Sequence, residues 1–209
     1  MAEARLVRVD CHIHSYRSGD SRTPLDQIET AAIDAGLGAI CLTDHGTIEG
    51  ALEAQSTYSS LQVIVGQECR TWAGEIIGLF LTERIPGNLQ PEAVVEAIRD
   101  QGGLVYLPHP FCAMHNGLRD NFIERLLSEI DIVEVHNSKA SALGNQQALE
   151  FAASADKALA AGSDAHYAQF VGNSYVEIPD FSDAKGFLSS LHSPDARIER
   201  GGYTYGDVL

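Results

Sequence analysis

The sequence predicts an α/β fold, a parallel sheet covered by helices and closed as a barrel. Short apolar runs alternate with segments of helical periodicity. No Gly-rich phosphate loop follows any run, which removes the main signature of the open nucleotide-binding sheets. Histidines and carboxylates recur where the runs end, the places that converge on one face of a parallel barrel. At 209 residues, 44% hydrophobic and 21% charged, the chain fits one domain spanning 1–209 with a continuous core.

Apolar or β-branched runs at 6–11, 39–42, 63–65, 76–81, 104–107, 132–135 and 158–161 read as buried strands. After the first run, Leu25, Ile28 and Ala32 recur at helical spacing, with Thr23 or Pro24 opening the helix and Gly36 closing it. Further helices are expected over 48–61, from Pro91 to the Gly102–Gly103 pair, and over 122–128, 142–153 and 182–191. The stretch 69–81 holds no helix, and its Gly74 suggests a hairpin interrupting the alternation. Residues 198–209 receive no assignment.

With 29 acidic against 14 basic residues, the formal charge of −15 makes a nucleic-acid polymer a poor partner unless bound cations reverse the local field. No apolar run reaches the roughly 20 residues of a membrane span, and the first residues lack a signal-peptide core, so a cytoplasmic location is expected. Cys11, Cys41, Cys69 and Cys112 form no C-x-x-C pair and are expected to be reduced, buried thiols.

Six of the eight histidines, His12, His14, His45, His109, His136 and His166, sit at or just beyond run ends, together with Asp20, Glu68 and Asp164. In the extended DCHIHS and SDAH segments, residues i and i+2 point to one side, so His12 and His14 can reach one ion, and so can Asp164 and His166. A lone histidine is ordinarily a hydrogen-bonded core or surface group; six at one topological position share an explanation in bound cations. Imidazoles mixed with carboxylates suit zinc, manganese or iron, and nine ligands suffice for two or three divalent ions.

DCHIHS, TDHGT, GQE, LPHP, EVHN and GSDAH, in this order from Asp10 to His166, resemble the motifs of the polymerase and histidinol phosphatase (PHP) family. The resemblance implies a distorted (β/α)7 barrel and up to three metals. One ion would take His12, His14, Glu68 and Asp164; a second would share Glu68 and take His109 and His136; the third would take Asp20, His45 and His166. Short members often carry an aspartate after PHPF, where this chain has Cys112.

Clustered divalent ions would lower the pKa of a bridging water and bind phosphoryl oxygens. The expected activity is therefore metal-dependent hydrolysis of a small phosphorylated metabolite, a nucleotide, bisphosphonucleotide or similar phosphomonoester. Arg17, Arg119 and Lys139, on loops after the runs, are candidates to hold the phosphate, with Arg70 and His115 nearby. Asp44 could orient His45 or cap the following helix, and His192 has no expected role. The alternatives are a metal-dependent C–N hydrolase of amidohydrolase type and a non-catalytic, metal-stabilised interaction module.

Overall fold

Strand β1 (Leu6–Ile13) is followed by helix α1 (Leu25–Asp34), then β2 (Ala39–Leu42), α2 (Glu49–Thr57), β3 (Gln62–Thr71) and β4 (Gly74–Leu79). Next come α3 (Pro91–Asp100), β5 (Leu104–Leu107), α4 (Asp120–Leu126), β6 (Ile132–Asn137), α5 (Ala142–Ser154) and β7 (Ala158–Gly162). The chain ends with β8 (Ser174–Pro179), α6 (Ala184–Leu191) and β9 (Arg197–Arg200). The structure, a computed structural model, describes residues 5–112 and 116–202.

Helix boundaries follow local chemistry. Pro91 opens α3, where its missing N–H costs nothing, and the helix buries Val94, Val95 and Ile98. It stops where Gly102, at φ 70°, turns the chain back so that the Gly103 N–H reaches the Ile98 carbonyl at 3.0 Å. Ser141 caps α5 and Asp183 caps α6, each accepting a backbone N–H three residues on.

Among the described residues the strands form one sheet in the order β7-β6-β5-β4-β3-β2-β1-β8-β9. The pairs β1–β2, β2–β3, β5–β6 and β6–β7 are parallel. Strand β4 is antiparallel to both neighbours, so β3 and β5 still run the same way. The expected barrel is present, with its hairpin at 71–74, but a strict seven-unit count does not hold: β4 is antiparallel to its neighbours, and β8 and β9 are additional antiparallel strands. Strand β9, RIER, is a charged edge strand without an apolar run, so hydrophobic patterning did not reveal it.

Closure of the barrel depends on β1 dividing its partners. Its first half, Leu6 to Val9, pairs with β8, while its end bonds to the segment after β7. There the Asp164 N–H donates to the His12 carbonyl at 2.8 Å and the His14 N–H to the Ala165 carbonyl at 3.0 Å. Phe187 and Leu191 of α6 pack with Ala39, Leu104, Ile132 and Ala158, the first residues of their strands, so α6 closes the mouth opposite the site. Outside the sheet, Ile28, Val94 and Ile98 pack against Ile40, Val65 and Val105. All four cysteines are free and buried, as expected.

Gly74 has a φ of 128°, and a Cβ there would collide with the backbone of Gly117 and Leu118. Gly74→Ala is therefore expected to destabilise the protein by more than about 1 kcal/mol, a combined effect of backbone strain and collision. Urea unfolding monitored by circular dichroism measures it.

Candidate metal centre

The ladder between β1 and β2 slips between Asp10 and Ile13. This bulge changes which side chains face the barrel axis: Val9 and Cys11 lie in the lumen cluster, Ile13 lies in the outer one, and His12 and His14 both turn toward Glu68. Asp10 turns the other way. It accepts from the backbone N–H groups of Ser163 and Gly172, both at 2.9 Å, and of His12 at 3.3 Å, tying β1 to the chain after β7. Burial pushes its pKa up to about 6, against the pull of those hydrogen bonds.

Glu68, buried on β3, is the centre of the cluster. Its Oε2 lies 3.3 Å from His12 Nε2, 3.2 Å from His14 Nε2 and 3.3 Å from His45 Nδ1, and its Oε1 lies 3.1 Å from His109 Nε2. Asp164 Oδ1 stands 3.5 Å from His14 Nε2 and 3.9 Å from His12 Nε2. Toward the rim, Asp20 faces His45 at 3.1 Å and His166 at 3.6 Å. Of the nine sequence candidates, the structure thus gathers His12, His14, Asp20, His45, Glu68, His109, Asp164 and His166. Two of them, His109 at φ 28° and Asp164 at φ 52°, hold left-handed backbone conformations, the strain common at functional sites.

The donor set fits divalent ions. Ligand atoms on one ion with bonds of about 2.1 Å lie roughly 3.0 to 3.4 Å apart, close to most of the separations around Glu68. His12 Nε2 and His14 Nε2 face each other at 3.0 Å, and the buried His45 Nδ1 makes no hydrogen bond. Burial disfavours charge on His12, yet Glu134, Asp164 and Glu68 outweigh it and raise its pKa well above the usual value. His14 is likewise raised to about 9 by Asp164 and Glu68 against the cost of burial. The carboxylates therefore create a field that demands cations.

Glu134 is the main residue that sequence reasoning missed. Fully inside on β6, it accepts from the His109 N–H at 2.8 Å, the Tyr106 hydroxyl at 3.0 Å and Asn137 Nδ2 at 3.0 Å, and it contacts His12 Nδ1 at 3.1 Å. A proton on His12 Nδ1 donated to Glu134 leaves Nε2 as the lone-pair donor facing the cluster. A charged residue inside the apolar run IVEV was the available signal.

His136 is not brought into the cluster, a correction to its expected placement. The β6–β7 register shifts between Glu134 and His136, so the alternation that would aim His136 inward breaks. Its imidazole bonds instead to the Gly201 carbonyl at 2.7 Å and to Asn145 at 3.2 Å, while Asn137 turns in toward Asp164.

The basic candidates divide similarly. Lys139 lines the cavity, its Nζ 3.0 Å from Asp164 Oδ1 and 2.7 Å from His166 Nδ1. Arg17 instead pairs with Glu49 and Glu53 on α2, and Arg119 stacks on Trp72, so neither lines the cavity. Arg70 does, bridging Asp20 at 3.0 Å and Glu75 at 3.2 Å, with Asn116 also on the wall. Asp44 neither orients His45 nor caps α2; it accepts from the Ser15 N–H and hydroxyl, both at 2.6 Å. His115 lies outside the described residues. His192 follows the end of α6, away from the cavity.

Residues 142–194 match the family model described as PHP-associated. An uncharacterized protein of Methanocaldococcus jannaschii is 38% identical over 201 residues, 88% of this chain and 79% of that protein. The fold is similar to that of a two-domain Bacteroides vulgatus protein containing a predicted PHP-like metal-dependent phosphoesterase, with a TM-score of 0.75 at 17% identity over 96% of this chain. The chain belongs to the PHP family. It spans 66% of that Bacteroides protein. Two further structures share the PHP fold. Endonuclease Q in complex with duplex DNA bearing an abasic lesion has a TM-score of 0.71 at 16% identity, over 92% of this chain and 58% of that one. An amidohydrolase from Chromobacterium violaceum with bound sulfate has a TM-score of 0.65 at 17% identity, over 92% of this chain and 97% of that one.

Replacing Glu134 by Gln keeps the shape but removes the charge that orients His12. Affinity for Mn²⁺ is expected to fall about 10- to 100-fold, measured by equilibrium dialysis, with the far-ultraviolet circular dichroism unchanged.

Proposed function

We propose that this PHP protein is a metal-dependent hydrolase of small phosphate esters. The observation that carries the reading is the Glu68-centred cluster at the floor of a cavity of about 200 Å³, with Lys139 and Arg70 on its walls. His12, His14, Glu68 and Asp164 would hold one ion, and Asp20, His45 and His166 another. A third would rest on Glu68 and His109. Divalent ions so held supply an activated water and neutralise charge on the phosphoryl oxygens.

The chain's own groups do the rest. Lys139, anchored on Asp164 and His166, presents ammonium protons to an anionic substrate. Arg70 uses Nε and one terminal nitrogen on Glu75 and Asp20, leaving further N–H donors for phosphate oxygens. Glu134 holds the His12 tautomer and, through Tyr106 and the His109 backbone, fixes two walls of the site. The phosphoesterase and endonuclease names among the structural neighbours support ester chemistry at phosphorus.

The endonuclease also bears on substrate size. A fold of this kind works on duplex DNA in that protein, so the net charge of −15 alone does not decide against a polymer. The cavity of about 200 Å³ has room for a phosphoryl group beside Lys139 and Arg70. Among the described residues no helix is long and apolar enough to cross a membrane.

Phosphate release from a panel of nucleotide mono- and bisphosphates with Mn²⁺ or Zn²⁺ tests the reading, with a DNA duplex and an amide panel beside it. Loss of a ligand in His12→Ala or Asp164→Ala should lower kcat/KM by about 10³-fold or more, the equivalent of several kcal/mol of charge stabilisation. Undiminished turnover in both variants refutes it. Chelation should lower the thermal midpoint, because ions that bind the folded state stabilise it by mass action; calorimetry with and without EDTA reports this.

A further inference from the structure

An ion held by Glu68 and His109 would lack a third protein ligand with His136 turned away, and catalytic sites commonly supply three. Glu75 stands where that ligand is missing. It faces the lumen on β4, two residues from Ile77, which pairs directly with Glu68 across the hairpin. Its side chain is only 7% exposed, a costly position for a carboxylate that lacks full compensation. Oε1 accepts from Arg70 Nε at 3.2 Å, while Oε2 faces His109 Nε2 at 4.0 Å.

That 4.0 Å is too long for a hydrogen bond and longer than the separation of neighbouring ligands, but below the roughly 4.2 Å between two donors on opposite sides of one ion. On the other side, Glu75 Oε1 is 4.0 Å from His45 Nδ1, the buried nitrogen without a hydrogen bond. His45, Glu68 and Glu75 offer ligand atoms all within 4.8 Å of one another. Arg70 on Oε1 is the kind of outer hydrogen bond that orients a ligating carboxylate.

We propose that Glu75 completes, with Glu68 and His109, the protein ligands of one divalent ion, taking the place that the family resemblance gives to His136. The assignment rests on reading the cluster as a metal centre and is independent of the substrate. It also gives the hairpin a function, since β3 and β4 carry Glu68 and Glu75 two rungs apart along one ladder.

The test is metal content of the whole protein after equilibrium dialysis against Co²⁺, with the visible spectrum of the bound cobalt. Glu75→Gln is expected to lose one equivalent, or to bind it at least about tenfold more weakly, while His136→Ala keeps the wild-type stoichiometry. Glu75→His, which substitutes a nitrogen donor, should keep the equivalent and shift the cobalt absorption. Full retention in Glu75→Gln, loss in His136→Ala, or an unchanged spectrum in Glu75→His overturns the assignment. Should Glu75→Gln fail to fold, the Glu75→His spectrum decides. A wild-type protein that binds no cobalt would instead refute the metal centre itself, and inactivity toward phosphate esters would refute only the substrate reading.

Discussion

A carboxylate buried at the closed end of a cavity, with its two oxygens divided among four imidazoles, sets the requirements for everything around it. Burial pushes Glu68 toward its neutral form, and His12, His109 and His14 pull it back to a pKa well below normal. Removing an ionised carboxylate from water costs several kcal/mol unless opposite charge and hydrogen bonds compensate. The compensating groups come from β1, β2–α2, and β5–α4 connections, so the barrel must close correctly before Glu68 is satisfied. Folding and the assembly of the site are thereby coupled.

Two irregularities in the ladder do the aiming. Strands alternate strictly, so an uninterrupted β1 that keeps Cys11 inside would face His12 outward. The bulge after Asp10 reverses this and frees Asp10 to fasten the barrel seam through three backbone N–H groups. The bulge in β6 acts in the opposite sense, removing His136 and admitting Asn137 beside Glu134 and Asp164. One extra residue per strand therefore separates groups that surround the cluster from groups that do not.

The net charge and the site are reconciled by position. The protein carries 29 acidic residues against 14 basic ones, and several acidic side chains are spent locally: Glu49 and Glu53 hold Arg17, while Asp20 and Glu75 hold Arg70. Arg70 and Lys139 remain directed into the cavity, above a cluster whose carboxylates attract cations. An anion approaching that face meets a local field unlike that of the remaining surface.

The barrel class, most helices with ends within a few residues, and eight of the cluster's side chains were legible in the sequence. Apolar periodicity and turn residues are local signals, and the ends of parallel strands converge whatever the details between them. Strand β9 was not legible, because an edge strand pairs through its backbone and needs no apolar run, and β8, between β1 and β9, only alternates Val176 and Ile178 with Tyr175 and Glu177. Nor were Glu75 and Glu134, or the exclusion of His136, Arg17 and Arg119. Those depend on register, on two bulges and on which partner a long side chain meets across more than thirty residues of chain, as Arg17 does with Glu53. The sequence by itself determined which donors reach the top of the barrel; only the tertiary structure decided which of them face its axis, since a shift of one residue in a strand turns a side chain to the opposite side.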